Sequence, residues 1–149
     1  MEVFRVTNPD VLNVSMFDDF LQRAFPEDSL MFPSGYAARK DRMVRIIKDP
    51  NFALFIGWED NKLSGLSLVF APDDVDLIRP QFSLFYSEGS SKIKAALLDA
   101  GIEFIKSKGH MEAWGVNGTD KPDSVWARTF RRVGNWSRVG SIMKVEFKK

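Results

Sequence analysis

Apolar positions in this chain fall into short blocks separated by polar, Pro-containing or Gly-containing breaks, and the spacing inside each block predicts an element. Residues 2–7 read as a strand. Asn8-Pro9 reads as a helix start, with Asn8 as N-cap and Pro9 in the first helical position. Phe17, Phe20, Leu21, Ala24 and Phe25 then share one helical face, and Pro26 closes that helix. A second helix is expected over Ser34–Lys48, with Tyr36, Met43, Val44 and Ile47 facing inward, stopped by Asp49-Pro50-Asn51. The strongest strand signal follows. Phe52–Trp58 is apolar at nearly every position and Leu63–Phe70 is the next run, with the short polar connection Glu59-Asp60-Asn61-Lys62 between them. A run without alternation predicts a strand buried on both faces, hence helices on both sides of a sheet.

Pro72–Pro80 reads as a loop carrying Asp73, Asp74 and Asp76, and Gln81–Tyr86 as a further strand. Ser87–Ser91 is a turn into a helix whose core face holds Ile93, Ala96, Leu97, Ala100 and Phe104, ending at Lys106, Lys108 and Gly109. Met111–Val116 reads as a strand and Asn117–Pro122 as a polar loop. Residues 123–133 read as a short helix with Trp126, Thr129, Phe130 and Val133 on one face, and Asn135–Lys149 as one or two closing strands. The order is β-α-α-β-β-β-α-β-α-β(-β). It predicts an α/β (α+β layered) domain with a mixed, mostly antiparallel central sheet flanked by helices.

Composition narrows the chemistry. At 149 residues one domain over 1–149 is expected, large enough for its own core, with 13 Phe and 4 Trp to fill it. Cys is absent and His occurs once, which excludes a thiolate nucleophile, a thiolate metal site, a disulfide framework and a two-His metal motif. No metal is expected. His110 lies between a helix end and a strand, where a lone His most often packs or caps. No targeting or membrane-spanning segment is evident, and a cytoplasmic location is expected.

Charge is balanced overall, with 21 Lys+Arg against 20 Asp+Glu, but not locally. Residues 9–30 hold five acids (Asp10, Asp18, Asp19, Glu27, Asp28) and one base (Arg23), net −4. Residues 121–149 hold eight bases and two acids, net +6. Trp126, Phe130 and Trp136 interleave with Arg128, Arg131, Arg132 and Arg138, a composition used to bind single strands. The helical wheel separates the aromatics from the arginines, so nucleic acid is not the expected partner.

The turn Tyr86-Ser87-Glu88-Gly89-Ser90-Ser91 followed by Lys92 is the best candidate for chemistry. Gly89 permits a tight turn, Ser90 or Ser91 can cap the helix, and a helix N-terminus carries about +0.5 charge and free N–H groups for an anion. Most such turns are only connections. Here the turn and the element order together resemble the GNAT superfamily of acyl-CoA N-acyltransferases over nearly the whole chain. Phe52–Phe70 resembles its central hairpin, Ser87–Ile93 stands where its pyrophosphate loop does, and Val125–Gly134 resembles its penultimate helix.

The resemblance implies acetyl-CoA or another acyl-CoA as co-substrate and a small-molecule or protein amine as acceptor. It implies that Tyr86, Ser87, Glu88, Gly89, Ser90, Ser91 and Lys92 hold the donor, with Arg128 and Arg131 available to its phosphates. The sequence also departs from the family. Of the loop pattern Q/R-x-x-G-x-G/A only Gly89 is kept, and Glu88 adds a negative charge. Phe130 stands where many members carry the Tyr that protonates the leaving thiolate. Bases for the amine are then sought among Asp74, Asp76 and Glu59. An opening between the strands at Phe82–Tyr86 and Met111–Val116 would mark a working site. The alternative is a catalytically silent protein of the same fold used for binding or assembly, for example a phage virion component with protein partners.

Overall fold

The protein is described from a computed structural model covering residues 1–24, 35–73 and 79–115, together with Arg128, Arg131, Gly134 and Lys148. The chain divides into two compact units, Met1–Thr119 and Asp120–Lys149. Every element below belongs to the first. The expected helix at 123–133 and closing strands at 135–149 lie outside the described residues, apart from a helical Arg128.

The sheet has the order β1-β2-β3-β4-β5: β1 (Glu2–Arg5), β2 (Phe52–Glu59), β3 (Lys62–Phe70), β4 (Gln81–Ser87) and β5 (Trp114–Gly115). The first four strands pair antiparallel, and β5 lies parallel to β4. The β2–β3 hairpin turns through Asp60 and Asn61, both with positive φ (53° and 59°), the geometry that matches a tight turn to the twist of its strands.

Because β2 is apolar at successive positions and β3 is buried along nearly its whole length, the hairpin feeds two cores. Leu54, Ile56, Leu66 and Leu68 face one side, where they meet Leu12, α1 (Ser15–Ala24) through Phe17, Phe20 and Leu21, and α2 (Gly35–Ile46) through Met43. Ala53, Phe55 and Val69 face the other side and pack on α3 (Ser91–Ser107) through Ile93, Leu97, Phe104 and Ile105. The expected central strand covered on both faces is therefore present.

The expected first helix is divided. Asn8 caps a 3₁₀ turn over Pro9–Leu12, its side chain accepting from Asp10 N, and α1 begins only at Ser15. Leu12 and Leu21 show why. In one continuous helix of 3.6 residues per turn they would point in opposite directions, yet both are fully buried in the same core. α2 ends with Met43 buried and Val44 and Ile47 packed beside it, as the spacing predicts. The Phe25–Ser34 segment, with Pro26, lies outside the described residues, as does the Tyr36 side chain.

α3 ends as expected, with Gly109 at φ +89°. His110 is buried, and its Nε2–H donates to the Pro72 carbonyl at 2.6 Å, while Lys108 meets Asp73 at 3.1 Å. His110 is thus the packing residue the sequence implies, tying the chain after β3 to the end of α3. The expected strand from Met111 starts only at Trp114. Met111 is 85% exposed, and the segment becomes extended where Trp114 N donates to Pro80 O.

Candidate functional site

Four pieces of chain converge at the start of α3: the β4–α3 connection, the far end of the β2–β3 hairpin, the bulge in β3 and the end of α1. Each is placed by a specific feature. In the β2–β3 register Gly57 pairs with Gly65 but Trp58 pairs with Leu63, so Ser64 is the extra residue of a bulge. The Ser64 carbonyl there accepts from Glu88 N at 2.8 Å, which holds the connection down on the hairpin. A second bulge interrupts β4: Leu68 pairs with Leu84 and Val69 with Phe82, leaving Ser83 over. Among the described residues, the parallel pairing of β5 with β4 covers Gln81 and Phe82 only. Of the expected opening's second side, residues 111–115 are described and meet β4 at its Gln81 end, while Val116 lies outside the described residues.

Ser90 is the N-cap of α3. It is extended (φ −66°, ψ 167°), and its Oγ accepts from Ile93 N at 3.4 Å. Gly89 N donates to Ser87 Oγ at 3.3 Å. Ser90 N donates to Glu59 Oε1 at 2.9 Å, and Ser90 Oγ–H donates to Glu59 Oε2. Ser91 and Lys92 are the first two helical residues, and among the described residues nothing accepts from their amides. Both residues are exposed. The helix thus offers two N–H groups to an anion, with the Lys92 side chain carried on the same turn.

Gly89 serves a different purpose from the one its position in a turn predicts. Its φ is not left-handed. It is glycine for want of space: a Cβ there would lie 2.5 Å from Ile93 Cγ2, 3.0 Å from Ser64 Cβ and 3.2 Å from Glu59 Oε1. Tyr86 is half-buried, stacked edge-on against Phe20 at 5.5 Å, and donates its hydroxyl to Glu88 Oε2 at 3.3 Å. Burial, reinforced by the Glu88 charge, raises the Tyr86 phenol above its ordinary value.

Glu88 points back across the loop to Arg23 of α1, which it meets at 2.7 Å through Nη2 and 3.3 Å through Nε. The Arg23 hydrogen bonds, offset in part by desolvation, hold the Glu88 carboxyl below the ordinary glutamate range. The charge that the sequence places in the loop is therefore paired. Periodicity does not pair Arg23 with Glu88, which lies 65 positions away. The one usable signal was its isolation as the single base among residues 9–30.

Of the candidate bases, Asp74 and Asp76 lie outside the described residues. Glu59 is engaged as a second cap on α3. Hydrogen bonds from the Ser90 hydroxyl and then the Ser90 amide lower its carboxyl pKa. A general base works best with a pKa near the operating pH, and these hydrogen bonds move Glu59 away from it. Arg128 and Arg131 are exposed residues of the second unit. Among the described residues no group of His, Cys, Asp and Glu could hold a metal ion, and no helix is long and apolar enough to cross a membrane.

Comparison with solved structures places this arrangement in a known fold. The chain is similar to a probable acetyltransferase, with a TM-score of 0.70 at 9% identity over 100% of this chain and 99% of the other. It is similar to an aminoglycoside antibiotic 6'-N-acetyltransferase from Acinetobacter haemolyticus, with a TM-score of 0.68 at 10% identity over 100% of both chains. A third similar structure, an aminoglycoside N-acetyltransferase bound to a CoA-containing bisubstrate analogue, has a TM-score of 0.66 at 13% identity over 99% and 98% of the two chains. None of these three is a virion protein. No family's sequence model matches the chain, and no curated protein sequence does. At these identities the likeness establishes the fold, which is that of the GNAT acetyltransferases.

Proposed function

We propose that the protein is an acyl-CoA-dependent N-acyltransferase that moves an acyl group, acetyl in the simplest case, to an amine. The observation that carries this reading is the start of α3, where, among the described residues, nothing accepts from the Ser91 and Lys92 amides in a GNAT fold. Two N–H groups, a helix dipole and a lysine fit one phosphate of a CoA diphosphate. Ser87 and Gly89 shape the turn that carries them, and Tyr86 and Glu88 fix it to α1 through Phe20 and Arg23. We assign Arg128 and Arg131 to the remaining phosphates of the donor, on the strength of the net +6 charge over 121–149.

The reaction needs a bound donor, a neutral amine and a polarised thioester carbonyl. The amine nitrogen attacks the carbonyl carbon, and the carbon–sulfur bond breaks as the tetrahedral intermediate collapses. The ammonium proton passes to a base and the thiolate takes up a proton. Positioning and backbone N–H donation to the oxyanion supply most of the acceleration. General-acid help is worth about 10²- to 10⁴-fold, and Phe130 has no hydroxyl to give it. A slow enzyme is the expected result. Asp76 is the base we assign, since Glu59 is held by Ser90. The acceptor is a small-molecule amine in this reading, the class on which the similar aminoglycoside acetyltransferases act.

One observation favours the silent alternative: two carboxylates, Glu59 and Glu88, already occupy the loop. Thermal unfolding separates the two readings. A ligand at 100 times its dissociation constant stabilises the folded state by about 2.7 kcal/mol. Millimolar acetyl-CoA raises the melting temperature if the donor site works, and released CoA thiol then reports turnover against a panel of amines. No shift in melting temperature sinks the enzyme reading.

A further inference from the structure

We propose that Glu59 is an internal competitor for the donor's diphosphate, a built-in carboxylate that occupies the α3 N-terminus until acyl-CoA displaces it. The inference rests on the acyl-CoA reading and adds a control to the same site. Three of the five amides between Glu88 and Lys92 are already satisfied from within: Glu88 N by Ser64 O, Gly89 N by Ser87 Oγ and Ser90 N by Glu59 Oε1. Two of those acceptors are neutral oxygens that shape the turn. The third is a carboxylate brought in from the end of β2, 31 positions away, and it binds the helix N-terminus as a phosphate oxygen would. It accepts from both the amide and the hydroxyl of Ser90, so both donors of the N-cap residue are taken.

The hairpin geometry accounts for its presence there. The turn at Asp60 and Asn61 ends β2 at Glu59, and Gly89 lacks the Cβ that would press on Glu59 Oε1. An incoming diphosphate meets a like charge at its closest approach to the helix, and it must either push Glu59 off Ser90 or bind with only Ser91 and Lys92. The same carboxylate stabilises the empty protein, since it satisfies an amide that would otherwise face water. Donor affinity and ligand-free stability are therefore coupled with opposite sign through one side chain, which a purely structural cap would not do.

The test is calorimetric titration of the full chain and of Glu59→Gln with CoA and, separately, with pantetheine, which has the same arm without phosphates. The expected result is CoA binding at least tenfold tighter in Glu59→Gln, pantetheine binding unchanged, and a lower melting temperature without ligand. Glu59→Asp, one methylene shorter, shifts CoA affinity the same way by a smaller factor and guards against a poorly folded amide variant. If wild type binds CoA and both variants bind it equally or more weakly, Glu59 is only a cap and the competitor is refuted while the donor site stands. Equal tightening of CoA and pantetheine refutes it as well. If no form of the protein binds CoA, the acyl-CoA reading falls and this inference falls with it.

Discussion

Replacing Gly57 by Ala probes how tightly α3 sits on the sheet, and so how firmly its N-terminus is aimed. A Cβ at position 57 would lie 2.8 Å from Ile93 Cγ1, 3.0 Å from Ile93 Cδ1 and 3.4 Å from Leu97 Cδ1. The first two distances are well inside ordinary contact, so Ile93 must retreat by about half an ångström, and with it the first turn of α3. Overpacking of this kind costs about 1–3 kcal/mol. The loss of backbone freedom at a strand glycine offsets about 0.5–1 kcal/mol of that. Gly57→Ala alone is therefore expected to destabilise by about 1–2 kcal/mol.

Ile93→Ala alone leaves a cavity at a fully buried position and is expected to cost about 2–5 kcal/mol. In the double variant both clashing atoms are gone and the new methyl enters the vacated space. Gly57→Ala should then be neutral or stabilising, a coupling of about 1.5 kcal/mol or more between the two positions. Urea unfolding followed by tryptophan fluorescence gives the three differences. Costs that add to within about 0.5 kcal/mol would refute the close seating of α3 on Gly57.

Further outcomes follow from individual contacts. Ser67 is fully buried and its hydroxyl has no partner among the described residues, so Ser67→Ala should stabilise by about 1 kcal/mol in the same assay. His110→Ala leaves the Pro72 carbonyl without its buried donor and should cost about 2–3 kcal/mol. The folded-state pKa values of Glu59 and Glu88 both lie below the ordinary 4.5, so their contribution to stability is complete above that value. It is lost as pH falls through the lowered folded values. Melting temperatures measured from pH 6 downward should drop at the acid end, and the drop should be shallower in Arg23→Ala if the ion pair to Glu88 causes part of it. Charge reversal at Arg128 and Arg131 should weaken CoA binding and leave pantetheine binding alone; equal CoA affinity removes those arginines from the donor site.

The sheet was legible because its signals are local. Phe52–Trp58 can be buried on both faces only in a covered strand, and Asp60-Asn61 is a sequence that accepts the positive φ of a tight hairpin. The core face of α3 was legible from its spacing, with Ile93, Leu97 and Phe104 all buried as expected. The break before α1 was not, because a cap at Asn8 and a second start at Ser15 leave the same apolar positions in view, and only joint burial of Leu12 and Leu21 separates them.

At the site, the sequence marked the loop and its capping serine. It did not mark what holds the loop. Glu59 to Ser90 and Arg23 to Glu88 are contacts 31 and 65 positions apart, set by how α1 and the hairpin meet the sheet. A candidate base became a cap, and a loop charge that looked unfavourable proved to be paired, because both depend on neighbours that periodicity does not name.

The most direct test of the donor site is acetyl-CoA binding by Ser91→Pro. Position 91 is the first residue of α3, where proline is compatible with a helix, and the extended Ser90 before it (ψ 167°) is the conformation a following proline requires. The substitution removes one of the two open amides and disturbs nothing that is hydrogen-bonded. A hydrogen bond to a charged group contributes about 1.5–3 kcal/mol, so isothermal titration should show affinity about 10- to 100-fold weaker, with the melting temperature without ligand kept or raised. Wild-type affinity in a folded Ser91→Pro protein would contradict the account, since the α3 N-terminus would then not be where the donor binds.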